Sequence, residues 1–106
     1  MEDRINNEQT PKLLISLNPI DGLTMDDYPW SIKVYTAIKS YTMDKKDLAR
    51  KDENTYYHFV EPTKLDAGRV YVDVIARIPD NDAPSGERIE GITFTTNLYI
   101  NQRKCR

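Results

Sequence analysis

The sequence has few of the residues that cross-link or ligate small proteins. Its 106 residues include one cysteine and one histidine. Cys105 cannot form an internal disulfide, and neither it nor His58 has neighbours at the spacing of a zinc site or a catalytic triad. The four glycines stand far apart, which excludes a glycine-rich phosphate loop. We therefore expect a non-enzymatic protein with no cofactors.

Long apolar runs and a basic face are also missing. No stretch approaches the ~20 apolar residues of a membrane helix, and the formal charge is only −2. Across residues 44–53, lysines and arginine are interleaved with acids, which is typical of a solvated surface and not of a phosphate track. The polar start of the chain does not resemble a secretion signal. We expect a protein made in the cytoplasm that binds neither nucleic acid nor membrane.

What the sequence does contain is alternation of apolar and polar residues. Residues 30–36 and 70–78 alternate most clearly, and this period indicates strands with one buried face. Weaker strand signals occur at residues 12–18, 38–43, around 48, 55–60 and 88–101. In the last of these, Ile89 and Ile92 have opposite parity, so we predict a bulge or kink at Gly91.

These signals predict an all-β fold. An immunoglobulin-like antiparallel β-sandwich of about seven strands, with no long helix, fits the length and the strand spacing. A small barrel is the alternative. We expect a flexible N-terminal arm over residues 1–10, a single β-sandwich domain over 11–101 and a frayed C-terminal tail over 102–106.

The acidic loop after the strand at 70–78 is a weak metal candidate. Asp80, Asp82 and Glu87 offer the carboxylates that calcium prefers. The spacing does not match an EF-hand, because Ser85 and Gly91 stand where that motif needs glycine and glutamate. A turn in which Asx side chains bond to backbone amides is the simpler interpretation. We therefore predict no resident metal.

Aromatic residues provide the candidate binding surface. Tyr35, Tyr71 and Tyr99 fall on the polar faces of their strands, where cross-strand packing and a binding face are equally good interpretations. Tyr28 and Trp30 lie at a loop–strand boundary and would form a platform if they were exposed. Trp30 also shares the parity of the buried face of its strand, which favours a place in the core. These five residues are the tentative interface.

Several short motifs follow one another in a fixed order along residues 21–100. They are Asp21-Gly22 and the segments 30–36, 46–50, 52–56, 63–68, 70–74, 78–82 and 86–88. This order resembles a group of small virion-associated β-sandwich proteins of phages and prophages from gut Bacteroidetes. It is also loosely similar to the N-terminal modules of receptor-binding and baseplate proteins in tailed phages. The resemblance implies a structural protein of a tail, baseplate, fibre or capsid, with no catalytic residues.

Two functions are consistent with these features. The first is a virion structural protein that acts as a protein–protein assembly module, with other virion proteins as partners and a homo-oligomeric state. The alternative is a carbohydrate- or cell-surface-binding β-sandwich module, which needs exposed aromatic side chains at Tyr28 and Trp30. A small enzyme is disfavoured because no nucleophile has a partner base in view.

Overall fold

The computed structural model describes residues 3–6 and 8–101 and has an all-β fold. The strands are β1 (Asp3–Ile5), β2 (Lys12–Ser16), β3 (Trp30–Tyr35), β4 (Ser40–Asp44), β5 (Ala49–Asp52), β6 (Thr55–Phe59), β7 (Gly68–Pro79) and β8 (Glu87–Ile100). The larger sheet has the order β1-β8-β7-β3-β4 and the smaller one the order β2-β6-β5. Short 3₁₀ turns lie at Lys45–Asp47 and Pro62–Lys64. Across the described residues, no helix has the length and apolar character needed to cross a membrane.

The two sheets pack face to face as a β-sandwich, and the core follows the predicted alternation. The inward residues of β3 and β7 are at most 4% exposed: Trp30, Ile32, Val34, Val70, Val72, Val74, Ala76 and Ile78. The smaller sheet covers them with Ile15, Tyr56 and His58, which are also buried. Full burial of a large apolar side chain contributes about 1.5–3 kcal/mol, so this layer supplies much of the driving force for folding.

The finer prediction of an immunoglobulin-like topology is not confirmed. Immunoglobulin domains have sheets of order ABED and CFG, and the orders β1-β8-β7-β3-β4 and β2-β6-β5 do not reproduce them. β3 and β4 form an antiparallel hairpin within the larger sheet. The short strand predicted around Leu48 is present as β5, which begins one residue later.

The first residues of the predicted flexible arm form a strand. β1 pairs in parallel with the end of β8, where Ile5 lies opposite Ile100. Ile5 is buried, and its carbonyl accepts a hydrogen bond from the Asn101 N–H at 2.9 Å. The prediction is wrong at this point because Ile5 is an apolar residue that the core can bury. The tail predicted over 102–106, together with residues 1, 2 and 7, lies outside the described residues.

The bulge predicted at Gly91 is also wrong. The register of β8 on β7 is continuous from Glu87 to Thr95, with Gly91 opposite Ile75. The register shift lies instead between Arg69 and Tyr71 of β7. No bulge is needed to bury Ile89, because its side chain is 66% exposed on the outer face.

The two long edges of the sandwich differ. On one edge, which we call the closed side, β4 leads through the 3₁₀ turn to β5, so the chain joins the two sheets directly. On the other edge, the open side, β2 lies across from β8. Among the described residues, neither β2 nor residues 87–95 of β8 have a further strand beside them. There the chain crosses between the sheets before β2, from β1, and again after β2, on its way to β3.

Candidate interaction surfaces

Three of the five predicted interface residues share the outer face of the larger sheet. Tyr35 lies opposite Tyr71 in the register of β3 and β7, and Tyr99 lies opposite Arg69 in the register of β7 and β8. All three tyrosines are half-buried. Strand alternation places them outward because their sequence neighbours fill the core.

Tyr35 and Tyr71 form one compact aromatic pair. Their ring centroids are 5.5 Å apart with 25° between the planes, which is a stacked arrangement. The Tyr35 hydroxyl donates to Asp73 Oδ1 at 3.2 Å, and the Lys33 ammonium lies 5.4 Å from the Tyr35 ring centroid. Desolvation and then the Asp73 carboxylate raise the pKa of Tyr35. The pair therefore presents its hydroxyl as a neutral group at ordinary pH.

Tyr99 is packed against a cation. The guanidinium carbon of Arg4 lies 4.5 Å from the Tyr99 ring centroid, and Arg4 Nη1 donates to Asn101 Oδ1 at 3.3 Å. Beside it, Arg69 Nη1 donates to the Thr96 carbonyl at 3.0 Å. These contacts tie β1, β7 and β8 together at one end of the sheet. They use much of the Tyr99 surface for intramolecular packing.

The other two predicted interface residues lie in the core. Tyr28 is 2% exposed and Trp30 is 4% exposed, so neither offers a surface to a ligand. Trp30 Nε1 donates to the Met25 carbonyl at 2.9 Å, and the Trp30 ring meets Tyr56 edge to face with centroids 4.8 Å apart. The exposed platform that the sequence suggested is therefore wrong at both positions, and the core interpretation of Trp30 is confirmed.

Arg88 forms ion pairs with three carboxylates near the tip of the long β7–β8 hairpin. Its guanidinium lies 2.8 Å from carboxylate oxygens of Asp21, Asp80 and Glu90. The bonds to Glu90, Asp80 and Asp21 raise the pKa of Arg88. Asp21 belongs to the predicted Asp-Gly turn, where φ values of 52° and 78° at Asp21 and Gly22 make a tight two-residue hairpin. Arg88 thus fastens this turn to the hairpin tip.

Asp80, Asp82 and Glu87, the weak metal candidate, make separate contacts in the structure. Asp80 accepts the Asp82 N–H at 2.9 Å, and this bond together with Arg88 lowers the pKa of Asp80. Glu87 lies 3.9 Å from Arg77 on the neighbouring strand. Within the described part of the chain, no group of three His, Cys, Asp or Glu side chains is arranged to hold a metal. The loop is a capped turn, as the simpler interpretation predicted.

His58 makes a side-chain bond between the two sheets on the closed side. Tyr41 of β4 places its hydroxyl oxygen 2.7 Å from His58 Nε2 of β6, and the same oxygen accepts the Glu61 N–H at 3.0 Å. The imidazole tautomer decides which of the two groups donates, because the hydroxyl can both donate one hydrogen bond and accept two. Desolvation lowers the pKa of His58 and raises the pKa of Tyr41 to about 12. Both groups are therefore uncharged and act as a structural link.

A second link on the closed side joins the loop before β3 to the smaller sheet. Arg50 Nε lies 3.0 Å and 2.9 Å from the two carboxylate oxygens of Asp26, and the Tyr56 hydroxyl donates to the same carboxylate at 2.5 Å. The bonds from Arg50 and then Tyr56 lower the pKa of Asp26 to about 2. Lys45 Nζ adds a bond to the Tyr28 carbonyl at 3.1 Å.

The sequence interpretation missed an apolar patch on the outer face of the smaller sheet. We define the β2–β6 patch as Leu14, Tyr57 and Phe59, with Leu14 directly opposite Tyr57. Leu14 is 55% exposed and Phe59 53% exposed, and Lys12 lies over the Tyr57 ring at 4.0 Å. Periodicity could not find this patch, because residues 56–60 are apolar or aromatic at both parities.

A groove runs along the open side between the two sheets. One part, of about 400 Å³, is lined by β2 and β8 residues that include Leu13, Phe94 and Leu98. A second part, of about 370 Å³, continues past Phe94 to Ile20 and Ile92. The lining combines these apolar side chains with polar residues such as Thr96 and Asn97, and it lies next to strand edges that are unpaired in the described part of the chain.

Comparison of the chain with protein-family models, with curated proteins and with solved structures finds no match. The interaction surfaces described above are therefore inferred from the chain's own geometry.

Proposed function

We propose that this chain is a non-enzymatic protein–protein assembly module. The observation that carries the proposal is the β2–β6 patch, where three large apolar or aromatic side chains lie together on an outer sheet face. Scattered exposed apolar residues are common, but contiguous patches mark interaction sites. Tyrosine and phenylalanine are also enriched at the centres of protein interfaces.

The titratable side chains support a structural role in preference to catalysis. His58 and Tyr41 are bonded to each other away from solvent. Asp26 and Asp80 are held by arginines. A catalytic group needs a substrate within reach and a pKa near the working pH. The side chains of His58, Tyr41, Asp26 and Asp80 are instead bonded to other side chains of the fold, and their pKa values are shifted away from neutrality.

A phage or prophage particle is the setting that we propose for this assembly. That setting rests on the sequence resemblance to virion-associated β-sandwich proteins, and the partners would then be other virion structural proteins. The patch fits this role because a particle protein needs a rigid outer surface that docks on a neighbour without chemistry.

A carbohydrate- or cell-surface-binding module is the second candidate. Its platform cannot be Tyr28 and Trp30, so it would have to be the stacked pair Tyr35 and Tyr71 with Asp73 as a hydrogen-bonding neighbour. The double variant Y35A/Y71A tests this candidate on a glycan array. Binding by the wild-type chain that this variant loses would favour the second candidate over the first.

Particle composition tests the first candidate. Particles purified after prophage induction are analysed by mass spectrometry, and we expect the chain at a fixed ratio to the other structural proteins. The variant L14S/F59S removes the exposed apolar side chains of the patch and should be missing from the particles. I75S/I89S is the matched control, because it removes two exposed apolar side chains from the outer face of the larger sheet.

Two results would contradict this account. If clean particles lack the wild-type chain, the virion setting is wrong. If L14S/F59S and I75S/I89S enter particles as well as the wild-type chain does, the patch is not the docking surface.

A further inference from the structure

The edge strands of this sandwich are protected unequally. An unpaired edge presents rows of N–H and C=O groups to other strands, and proteins usually guard it with charges, prolines or bulges. β5 is guarded in this way: its four residues are exposed, they include Arg50, Lys51 and Asp52, and its register on β6 shifts between Arg50 and Asp52.

The edge of β8 has none of these guards across the described segment 91–95. Those residues read Gly-Ile-Thr-Phe-Thr, with no charge and no proline. The register on β7 stays continuous from Glu87 to Thr95, so no bulge twists the edge away. At the start of the strand, Glu90 is bonded to Arg88 at 2.8 Å and Glu87 lies 3.9 Å from Arg77, which leaves little net charge there.

The β8 edge also accepts a strand within this structure. β1 adds to its last three residues, from Leu98 to Ile100, and the added Ile5 side chain is buried between the sheets. Beyond that short ladder, the edge runs beside the groove of the open side. Phe94 lines both parts of this groove. A further strand on this edge would direct alternate side chains over the groove.

We propose that residues 87–95 of β8 pair antiparallel with the same segment of a second copy. The partner would extend the larger sheet across a two-fold axis, and the interface would use the same surface on both copies. A second copy fits the charges of this edge. Antiparallel self-pairing of residues 87–95 is centred on Gly91, so Glu87, Arg88 and Glu90 face the uncharged half, 92–95, of the other copy, and no like charges lie opposite each other. The groove is then covered by inward side chains of the partner's β8, such as Ile92 and Phe94.

This inference rests on the proposed function, because it names one of the partners of the assembly module. Leu14 of the β2–β6 patch also lines the groove, but the self-pairing uses the backbone edge of β8 and the particle docking uses the outer face of the smaller sheet, so the two can fail separately. A chain that enters particles through Leu14 and Phe59 but stays monomeric alone would keep the function and overturn the self-pairing.

The test is sedimentation velocity of the wild-type chain and two double variants. Protein concentrations run from about 10 µM to about 1 mM, the range in which dimers of moderate affinity form. T93K/T95K places lysines on the outward positions of the β8 edge. S40K/T42K is the matched control, with the same charge change at exposed positions of β4, the opposite edge of the same sheet. We expect a dimer for the wild-type chain and for the control. For T93K/T95K, we expect a dissociation constant at least about tenfold higher.

A wild-type chain that stays monomeric throughout overturns the inference. A dimer that T93K/T95K leaves intact, or that S40K/T42K weakens equally, also overturns it. Circular dichroism checks that each variant is folded.

A second measurement does not depend on the variants. Amide NMR shifts of the wild-type chain that change with concentration at residues 87–95 support the pairing, whereas changes confined to β4 and β5 contradict it.

Discussion

The closed and open sides of this sandwich hold the two sheets together by different means. On the closed side, Tyr41 bonds to His58 across the sheets, and Asp26 is bonded by Arg50 and Tyr56. On the open side, the sheets meet through apolar side chains that line a groove. One side is therefore held by polar side-chain bonds between the sheets, whereas the other is held by side-chain packing along a groove.

The largest effect should come from removing the aromatic anchor between the sheets. Trp30→Ala deletes a fully buried ring and its bond to the Met25 carbonyl, so we expect a loss of about 3–5 kcal/mol in the free energy of unfolding. Phe94 is only half-buried in the groove of the open side. Phe94→Ala should therefore lower the free energy of unfolding by only about 1–1.5 kcal/mol, roughly half of what full burial contributes. Urea denaturation measures both, and equal losses would contradict the comparison.

Tyr41→Phe should come next. It removes the hydroxyl that serves both His58 Nε2 and the Glu61 N–H, and leaves two buried polar groups without a partner. Such orphaned groups cost about 1–3 kcal/mol. Tyr35→Phe is the control, because its hydroxyl bonds Asp73 on an outer face and its loss should stay within about 0.5 kcal/mol. Thermal unfolding of the two variants would show the same shift if the inter-sheet bond were unimportant.

The closed side should also make stability depend on pH. Burial lowers the pKa of His58 below its ordinary 6.5, with Glu61 opposing and Lys64 adding to this shift, and Tyr41 in direct contact. The folded state then binds fewer protons than the unfolded state. The free energy of unfolding should therefore be highest above pH 6.5 and should fall as the pH drops through 6.5 towards the lower folded value.

His58→Leu is the matched variant for this pH dependence. Its free energy of unfolding should vary less than that of the wild-type chain over the same range, which is measured by urea denaturation at several pH values. An unchanged slope in His58→Leu would assign the dependence to other groups.

Asp26→Asn should have a smaller effect with a different pH window. The pKa of Asp26 is lowered from 3.8 to about 2, so its contribution is present above pH 3.8 and is lost as the pH falls towards 2. The stability difference between the wild-type chain and Asp26→Asn should therefore be constant near neutrality and shrink in acid. Asp47→Asn, which changes an exposed side chain of the adjoining 3₁₀ turn in the same chemical way, is the control variant.

The smallest effect on monomer stability should come from T93K/T95K. Both threonines are exposed on the outer face, so the free energy of unfolding should change by no more than about 0.5 kcal/mol. Thermal unfolding at low concentration would reveal a larger loss, and such a loss would mean that the threonines support the β7–β8 ladder itself.

Local alternation explains why the fold class and the core could be predicted from the sequence. Val70, Val72 and Val74 alternate with more exposed residues, and a strand of a two-sheet sandwich buries only its inner face. The same parity placed Tyr35 and Tyr71 outward. Strand order could not be predicted in this way, because the pairing of β7 with β3 depends on contacts distant in sequence.

The candidate site was harder to predict for two physical reasons. Tyr28 lies in a loop with no periodicity, so its burial depends on how the loop folds back over the core. Tyr57 and Phe59 lie in a strand that is apolar or aromatic at both parities, so alternation could not say which face is exposed. The opposite parity of Ile89 and Ile92 predicted a bulge at Gly91, but Ile89 simply lies on the exposed outer face of β8.

Hydrogen–deuterium exchange of the wild-type chain at two concentrations distinguishes a paired β8 edge from a free one. We expect the amides of residues 91–95 to exchange more slowly at high concentration, because the free edge of β8 becomes paired, while the amides of β5 keep the same rates. Rates that do not depend on concentration in β8, or added protection in β5, would contradict the pairing.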